Sequence, residues 1–182
     1  MKSSEKHLLD GLVHVDEFSV GGPEKGMRGR SHSAKNKVIL GVELIHQKKG
    51  RNLIGRAYAQ CIEDYSASSF KNFFERFVSK EAKIETDGFT TYRTLMNDYD
   101  IKQFYSDQGL RFPELHILIM NIKSWLRGIH HKCNYVYMQK YLDEFIFRFN
   151  RKSSERSIFN KLLTRFIEHE PWPLKRVHEV YG

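Results

Sequence analysis

The chain has 182 residues, enough for one domain with a core of its own and a small appendage; with 40% hydrophobic residues it is too apolar to be disordered despite a net charge of +8. No apolar run approaches the ~20 residues needed to span a bilayer, and residues 1–6 are polar with no apolar stretch behind them, so membrane-spanning and secretory readings are excluded. Cys61 and Cys133 stand apart, so neither a disulfide framework nor a four-cysteine zinc ribbon can be built, and a reducing cytoplasm is expected.

Positive charge is patterned. Residues 23–37 carry net +4, residues 46–56 net +4 and residues 121–156 net +5, so the remainder of the chain is net negative. Such patches suit a polyanion, because each Lys or Arg that meets a phosphate releases condensed counterions. A solvated basic surface is the competing reading.

In chain order, residues 12–18 alternate with strand period, Val13 and Val15 on one face and His14, Asp16 and Phe18 on the other. A Gly-rich, Arg-rich loop follows over 24–36. Residues 37–45 are nearly continuous β-branched and aliphatic sequence, a buried strand, and after the turn at 48–50 a third strand is predicted over 53–62. The period then changes. Phe70, Phe73, Phe74, Phe77 and Val78 recur at helical spacing behind the capping candidates Asp64 and Ser66, predicting a helix over 66–79. A short strand over 83–86, a short helix near 91–96 and a fifth strand over 101–105 come next. From Pro113 on the chain reads as helical: one helix over 114–127 stopping at Gly128, a second carrying Met138, Leu142, Phe145 and Phe149 on one face, and a third from Ser154 and Glu155 that Pro171 and Pro173 end. Three strands, a helix, two further strands and then helices is the pattern of an α/β fold, a ribonuclease-H-like mixed five-stranded sheet flanked by helices with a C-terminal helical segment. The expected boundaries are a linker over 1–11, the main domain over 12–170 and a tail over 171–182.

Asp16 lies near the end of the first strand and Asp87 just after the fourth, and in that topology the two strands are central neighbours. Two convergent carboxylates are what hard cations such as Mg²⁺ require. A pair of ions about 3.5–4 Å apart can polarise both the attacking and the leaving oxygen of a phosphodiester. A third ligand is expected from the helix after the fifth strand. Taken singly these are weak signals, since Asp87-Gly88 is also an ordinary strand-end turn.

Residues 13–22 (VHVDEFSVGG), 25–30 (KGMRGR) and 86–92 (TDGFTTY), with 116–131 (HILIMNIKSWLRGIHH) leading into 141–151 (YLDEFIFRFNR), resemble the catalytic domain of ISXO-type bacterial insertion-sequence transposases. The likeness runs from about residue 12 to residue 169, nearly the entire chain, with the motifs in order. It implies a DDE-superfamily domain that holds two Mg²⁺ or Mn²⁺ ions and moves a DNA element by phosphodiester hydrolysis and transesterification. Matched position by position, Asp16, Asp87 and Asn121 are its catalytic and metal-ligating residues, Asn121 falling 34 residues after Asp87 where the superfamily more often has Glu. An amide oxygen ligates Mg²⁺ without bringing charge and cannot act as a general base. The resemblance also implies DNA, both element ends and target, as partner, and a homo-oligomer assembled on it.

Contacts to DNA phosphate are expected from Lys25, Arg28, Arg30, Lys48, Lys49 and Arg51 in the basic loops and from Lys123, Arg127, Arg148 and Arg151 in the helices. Asn150 joins Arg148 and Arg151 in the polar end of its helix, with a surface salt-bridge network as the rival reading. Lys123 falls about 200° round a regular helix from Asn121, so the two do not share a face. Trp125 reads as core. Glu17, Glu114 and His116 are possible accessory residues; Glu17, Glu85 and Glu114 are the spare carboxylates that could make up the charge Asn121 lacks. Only about eleven residues precede the first strand, so the zinc-ribbon region that usually precedes this domain is expected to be missing. Two other readings stay open: a non-catalytic DNA-binding remnant, and a ribonuclease-H-like nuclease without strand transfer.

Overall fold

The computed structural model describes residues 7–21, 35–47, 50, 52–105, 111–130, 135–152 and 155–169. Lys25, Arg28, Arg30, Lys48, Lys49, Arg51 and Cys133 lie outside the described residues, as do Pro171 and Pro173. The chain divides into two compact units, 1–150 and 151–182. No described helix is long and apolar enough to cross a membrane.

Five strands form one mixed sheet in the order β3-β2-β1-β4-β5, made of β1 (Leu12–Val20), β2 (Asn36–Ile45), β3 (Leu53–Ile62), β4 (Lys83–Thr86) and β5 (Asp100–Gln103). The first three are an antiparallel meander, whereas β4 runs parallel to β1 and β5 parallel to β4. This is the sheet expected from the element pattern, and its central strands are buried on both faces, which explains the unbroken aliphatic run of β2.

Helix α1 (Ala67–Phe77) covers one face. Its N-terminus is fixed by Ser66, whose hydroxyl accepts from the Ser69 N–H, and Asp64 accepts from the Ser66 N–H and the Ser69 hydroxyl. The four phenylalanines at 70, 73, 74 and 77 point into the sheet. Gly41 in β2 makes that close approach possible: a Cβ there would come within 2.7 Å of Leu9 Cδ1 and 3.2 Å of the Phe73 ring.

Helices α2 (Pro113–Ile129) and α3 (Met138–Phe149) follow β5, and α2 buries Leu115, Leu118, Ile119, Ile122 and Leu126. Pro113 opens α2, where its missing N–H costs nothing. The stop expected at Gly128 is overrun by one residue, because the helix is closed by the His130 N–H donating to the Leu126 carbonyl. The short helix expected near 91–96 is a 3₁₀ helix over Thr90–Leu95. The fifth strand leaves the ladder after Gln103, earlier than expected, because the Gln103 side chain turns to cap the loop that follows β4.

Helix α3 also guards the sheet edge. Its Gln139 accepts from the Cys61 N–H and donates to the Ala59 carbonyl, while Asn150 accepts from the Ala57 N–H and donates to the Ala57 carbonyl. Two side-chain amides thus occupy β3 positions that another strand would otherwise pair, a means of blunting an open edge. Asn150, expected at phosphate, is committed to this role. Burial and the nearby Asp143 carboxylate push the Cys61 thiol up to about 12, so it is an inert packing group. In the second unit, α4 (Glu155–Glu168) exposes Phe159, Leu163, Phe166 and Ile167.

Asn150→Ala leaves both Ala57 backbone groups without the amide partner, a loss of about 1–3 kcal/mol. Urea unfolding should show that loss, and the Ala57 amide should exchange its hydrogen faster than the amides of β1.

Candidate active site

The parallel pairing of β1 with β4 decides where the carboxylates fall. The register runs from Leu12 opposite Lys83 to Val15 opposite Thr86, and there β4 ends. The next residue of β1 is Asp16, still paired with Leu40 of β2, and the next of the β4 chain is Asp87, so the two stand side by side where the β1–β4 ladder stops, in the middle of β1 and at the carboxyl end of β4. A ligand oxygen from each of Asp16, Glu17 and Asp87 lies within 4.8 Å of the others, and no further group of three or more His, Cys, Asp or Glu side chains comes this close among the described residues.

Each of the three is held by a donor. The Glu17 N–H donates to Asp16 Oδ1 at 2.8 Å, and the Phe89 N–H donates to Asp87 Oδ1 at 3.0 Å. The Tyr92 hydroxyl donates to Glu17 Oε2 at 3.0 Å. The Asp87 turn is itself fastened, its carbonyl accepting from the Thr86 hydroxyl and from the Gln103 amide. By strand alternation Glu17 starts on the α1 face with Val13 and Val15, opposite to Asp16. Its longer side chain joins the group because β4 stops one step earlier and leaves the end of the sheet open to both faces.

The phase of α2 decides what else faces the group. His116 Nδ1 is 3.8 Å from Asp16 Oδ2, and the Lys123 ammonium lies 5.3 Å from the centre of the Phe18 ring, on the same face of β1 as Asp16. Seven residues apart, the two share a flank of the helix. Trp125 lies on the other flank, its ring 5.6 Å from that of Phe145 in α3. Asn121 stands only about 40° round from Trp125 but about 140° from His116. Helical phase therefore puts Asn121, an exposed residue, on the Trp125 flank of α2, while His116 stands beside Asp16.

Of the other spare carboxylates, Glu85 takes a hydrogen bond from His14 Nε2 at 3.2 Å. Glu114 acts on His14 through its charge. Burial lowers the pKa of His14 against the pull of both acids, so the pair is a neutral imidazole on a carboxylate. Lys123 is lowered by burial and by Arg127, with Asp16 opposing. Arg148 pairs with Glu144 at 2.8 Å, the salt-bridge alternative to phosphate contact, and Arg151 belongs to the second unit.

Three carboxylates within reach of one another are the oxygen-rich donor set that Mg²⁺ and Mn²⁺ prefer. Burial also lowers the pKa of His116, opposed by the charge of Asp87, which leaves at neutral pH an imidazole with a lone pair to offer a metal. The residues present fit a divalent ion.

The mixed sheet, with acidic side chains gathered where the β1–β4 ladder stops, has the ribonuclease-H-like arrangement expected from the sequence. The ISXO2-like transposase domain matches residues 8–150, and the chain belongs to that family. Two solved structures are similar in outline. The catalytic core domain of BIV integrase is 14% identical over 74% of this chain and 80% of its own, with a TM-score of 0.42. A simian T-cell lymphotropic virus intasome in complex with PP2A regulatory subunit B56 gamma is 9% identical over 78% of this chain and 49% of its own, with a TM-score of 0.40. None of the curated proteins matches.

In the metal-free protein, histidine NMR should place the His116 pKa below 6.5. Asp87→Asn removes the negative charge that raises it, so the value should fall further. A rise in that variant would contradict the placement.

Proposed function

We propose that this chain is the catalytic domain of a DNA transposase that cuts and joins phosphodiesters with divalent metal, held by Asp16 and Asp87 from the sheet and His116 from α2. The observation that carries the reading is the convergence of the Asp16, Glu17 and Asp87 oxygens where the β1–β4 ladder stops, inside a domain of the ISXO2-like family. In this reading the ligand from α2 is His116 and not the Asn121 that the resemblance implies, supported by the His116 ring standing beside Asp16. When bound, two Mg²⁺ or Mn²⁺ ions would supply charge neutralisation at the phosphodiester and activate the attacking oxygen.

The chain's own part is positioning, which dominates phosphoryl transfer. Asp16 and Asp87 are fixed by backbone N–H donors, so little reorganisation is needed when an ion arrives. Lys123 keeps its stem against Phe18 and its ammonium within reach of Asp16, a place from which it meets a phosphate of the bound strand. Arg127 continues the same flank of α2 one turn on. The basic residues at 25, 28, 30, 48, 49 and 51 add further candidate contacts to DNA phosphate by their charge, and a homo-oligomer brings two element ends together. Water cuts the element strand, and the freed 3′-hydroxyl then attacks target DNA.

In an Mn²⁺-dependent strand-transfer assay on end-containing DNA, Asp16→Asn, Asp87→Asn and His116→Ala should each lose at least about 100-fold. Asn121→Ala should stay within about threefold of wild type. Full activity in Asp87→Asn with no metal dependence overturns the reading. Lys123→Ala should weaken DNA binding and lower the slope of log affinity against log salt by about one. A remnant that only binds DNA keeps the salt dependence and shows no metal-dependent nicking.

A further inference from the structure

We propose that the end of β5 carries a second DNA-strand contact, in which Tyr105 stacks on an unpaired base and Lys102 and Arg111 take the flanking phosphates. The inference rests on the active-site reading above and deepens it, adding contacts on the side of the site that Lys123 and Arg127 do not reach.

Tyr105 is 89% exposed, more than any other large apolar side chain among the described residues. Its place is nonetheless set. The Phe104 N–H donates to the Thr86 carbonyl at 2.9 Å, so the chain is still tied to the end of β4 one residue before Tyr105. A Cβ added to Gly88 would lie 3.8 Å from Tyr105 Cδ1, which puts the ring beside the residue that follows Asp87. An aromatic ring left in water next to carboxylates that work on a phosphodiester offers its face to a base, and base–aromatic stacking is indifferent to sequence because every base has a π-face. A base inside a duplex has no face to spare, so the one that meets Tyr105 is unpaired.

Two cations stand with it. The Lys102 ammonium and the Arg111 guanidinium each lie 5.0 Å from the centre of the Phe104 ring, and both side chains are exposed. Among the described residues neither forms an ion pair: Glu85 is opposite Lys102 in the β4–β5 ladder, but its carboxylate takes the hydrogen bond of His14. The Phe104 ring meets that of Phe112, the residue before α2, with 6.2 Å between centroids. Arg111 therefore precedes the first turn of α2, His116 stands in that turn beside Asp16, and Lys123 and Arg127 follow toward the carboxyl end. A strand laid across the carboxylates has phosphates on both sides of the one that reacts, and Lys102 and Arg111 supply the positive charge that the amino side needs.

The test is binding of a short duplex with a splayed, unpaired end and of the same duplex fully paired, by fluorescence anisotropy on the whole chain in EDTA, so that the readout is affinity and not turnover. Wild type should prefer the splayed duplex. Tyr105→Ala should lose at least about fivefold on the splayed duplex and little on the paired one, with the slope of log affinity against log salt unchanged, and Tyr105→Phe should bind as wild type. Lys102→Ala and Arg111→Ala should each weaken both duplexes and lower that slope by about one. A wild type indifferent to the splayed end, a Tyr105→Ala variant that binds it as wild type does, or an unchanged slope in the Lys102 and Arg111 variants overturns the inference. Mn²⁺-dependent nicking by wild type separates the two levels. Nicking with full binding by Tyr105→Ala leaves the active-site reading standing and removes this contact, whereas the Tyr105→Ala defect without any nicking leaves the contact and removes the reading.

Discussion

The site depends on the four-residue parallel ladder between β1 and β4. It puts two aspartates, 71 positions apart in the chain, next to one another where the ladder stops, at Val15 and Thr86. A single-residue slip in this register would carry every β1 side chain to the opposite face and separate the two carboxylates. Burial on both faces prevents that slip: Val13 and Val15 pack beneath α1, while His14 and Phe18 lie under α2. The carboxylate arrangement is therefore maintained by hydrophobic packing at a distance from it, and its acidic residues add like-charge repulsion that packing has to outweigh.

The two faces make different contributions. The α1 side is aromatic and rigid, Phe70, Phe73, Phe74, Phe89 and Tyr92 meeting edge to face or tilted, and it delivers one hydroxyl to Glu17. The α2 side is amphipathic and partly open. It delivers an imidazole and an ammonium along one flank, the first beside Asp16 and the second over the Phe18 ring. A dry scaffold on one side and a wet, cationic helix on the other suit a polyanion that approaches from the α2 side.

Asp16 and Asp87 were legible in the sequence because strand period and element order together fix which strand ends are neighbours. Glu17 was not assignable, since alternation sends it to the far face and only the early end of β4 lets it return. Which α2 residue stands beside the carboxylates was not legible for a different reason. Spacing shows that Asn121 and Lys123 oppose each other on α2, but it does not say which flank meets β1. That flank is chosen by tertiary packing, Trp125 on Phe145 and Lys123 on Phe18. A signal was present nonetheless: Trp125, read as core, lies on Asn121's side of the helix. Asn150 was misread as a phosphate ligand because an amide at a helix end looks the same whether it meets DNA or a strand edge, and the open edge of β3 becomes visible only when the sheet is assembled.

The most direct measurement of the central claim is the crystal structure of the chain soaked in Mn²⁺, with the ion located by anomalous scattering. The account predicts an anomalous peak beside Asp16 and Asp87, with the His116 ring turned toward it and Asn121 outside its coordination shell. A peak coordinated by Asn121 with the His116 ring turned away, or no peak at these carboxylates at saturating Mn²⁺, would contradict it.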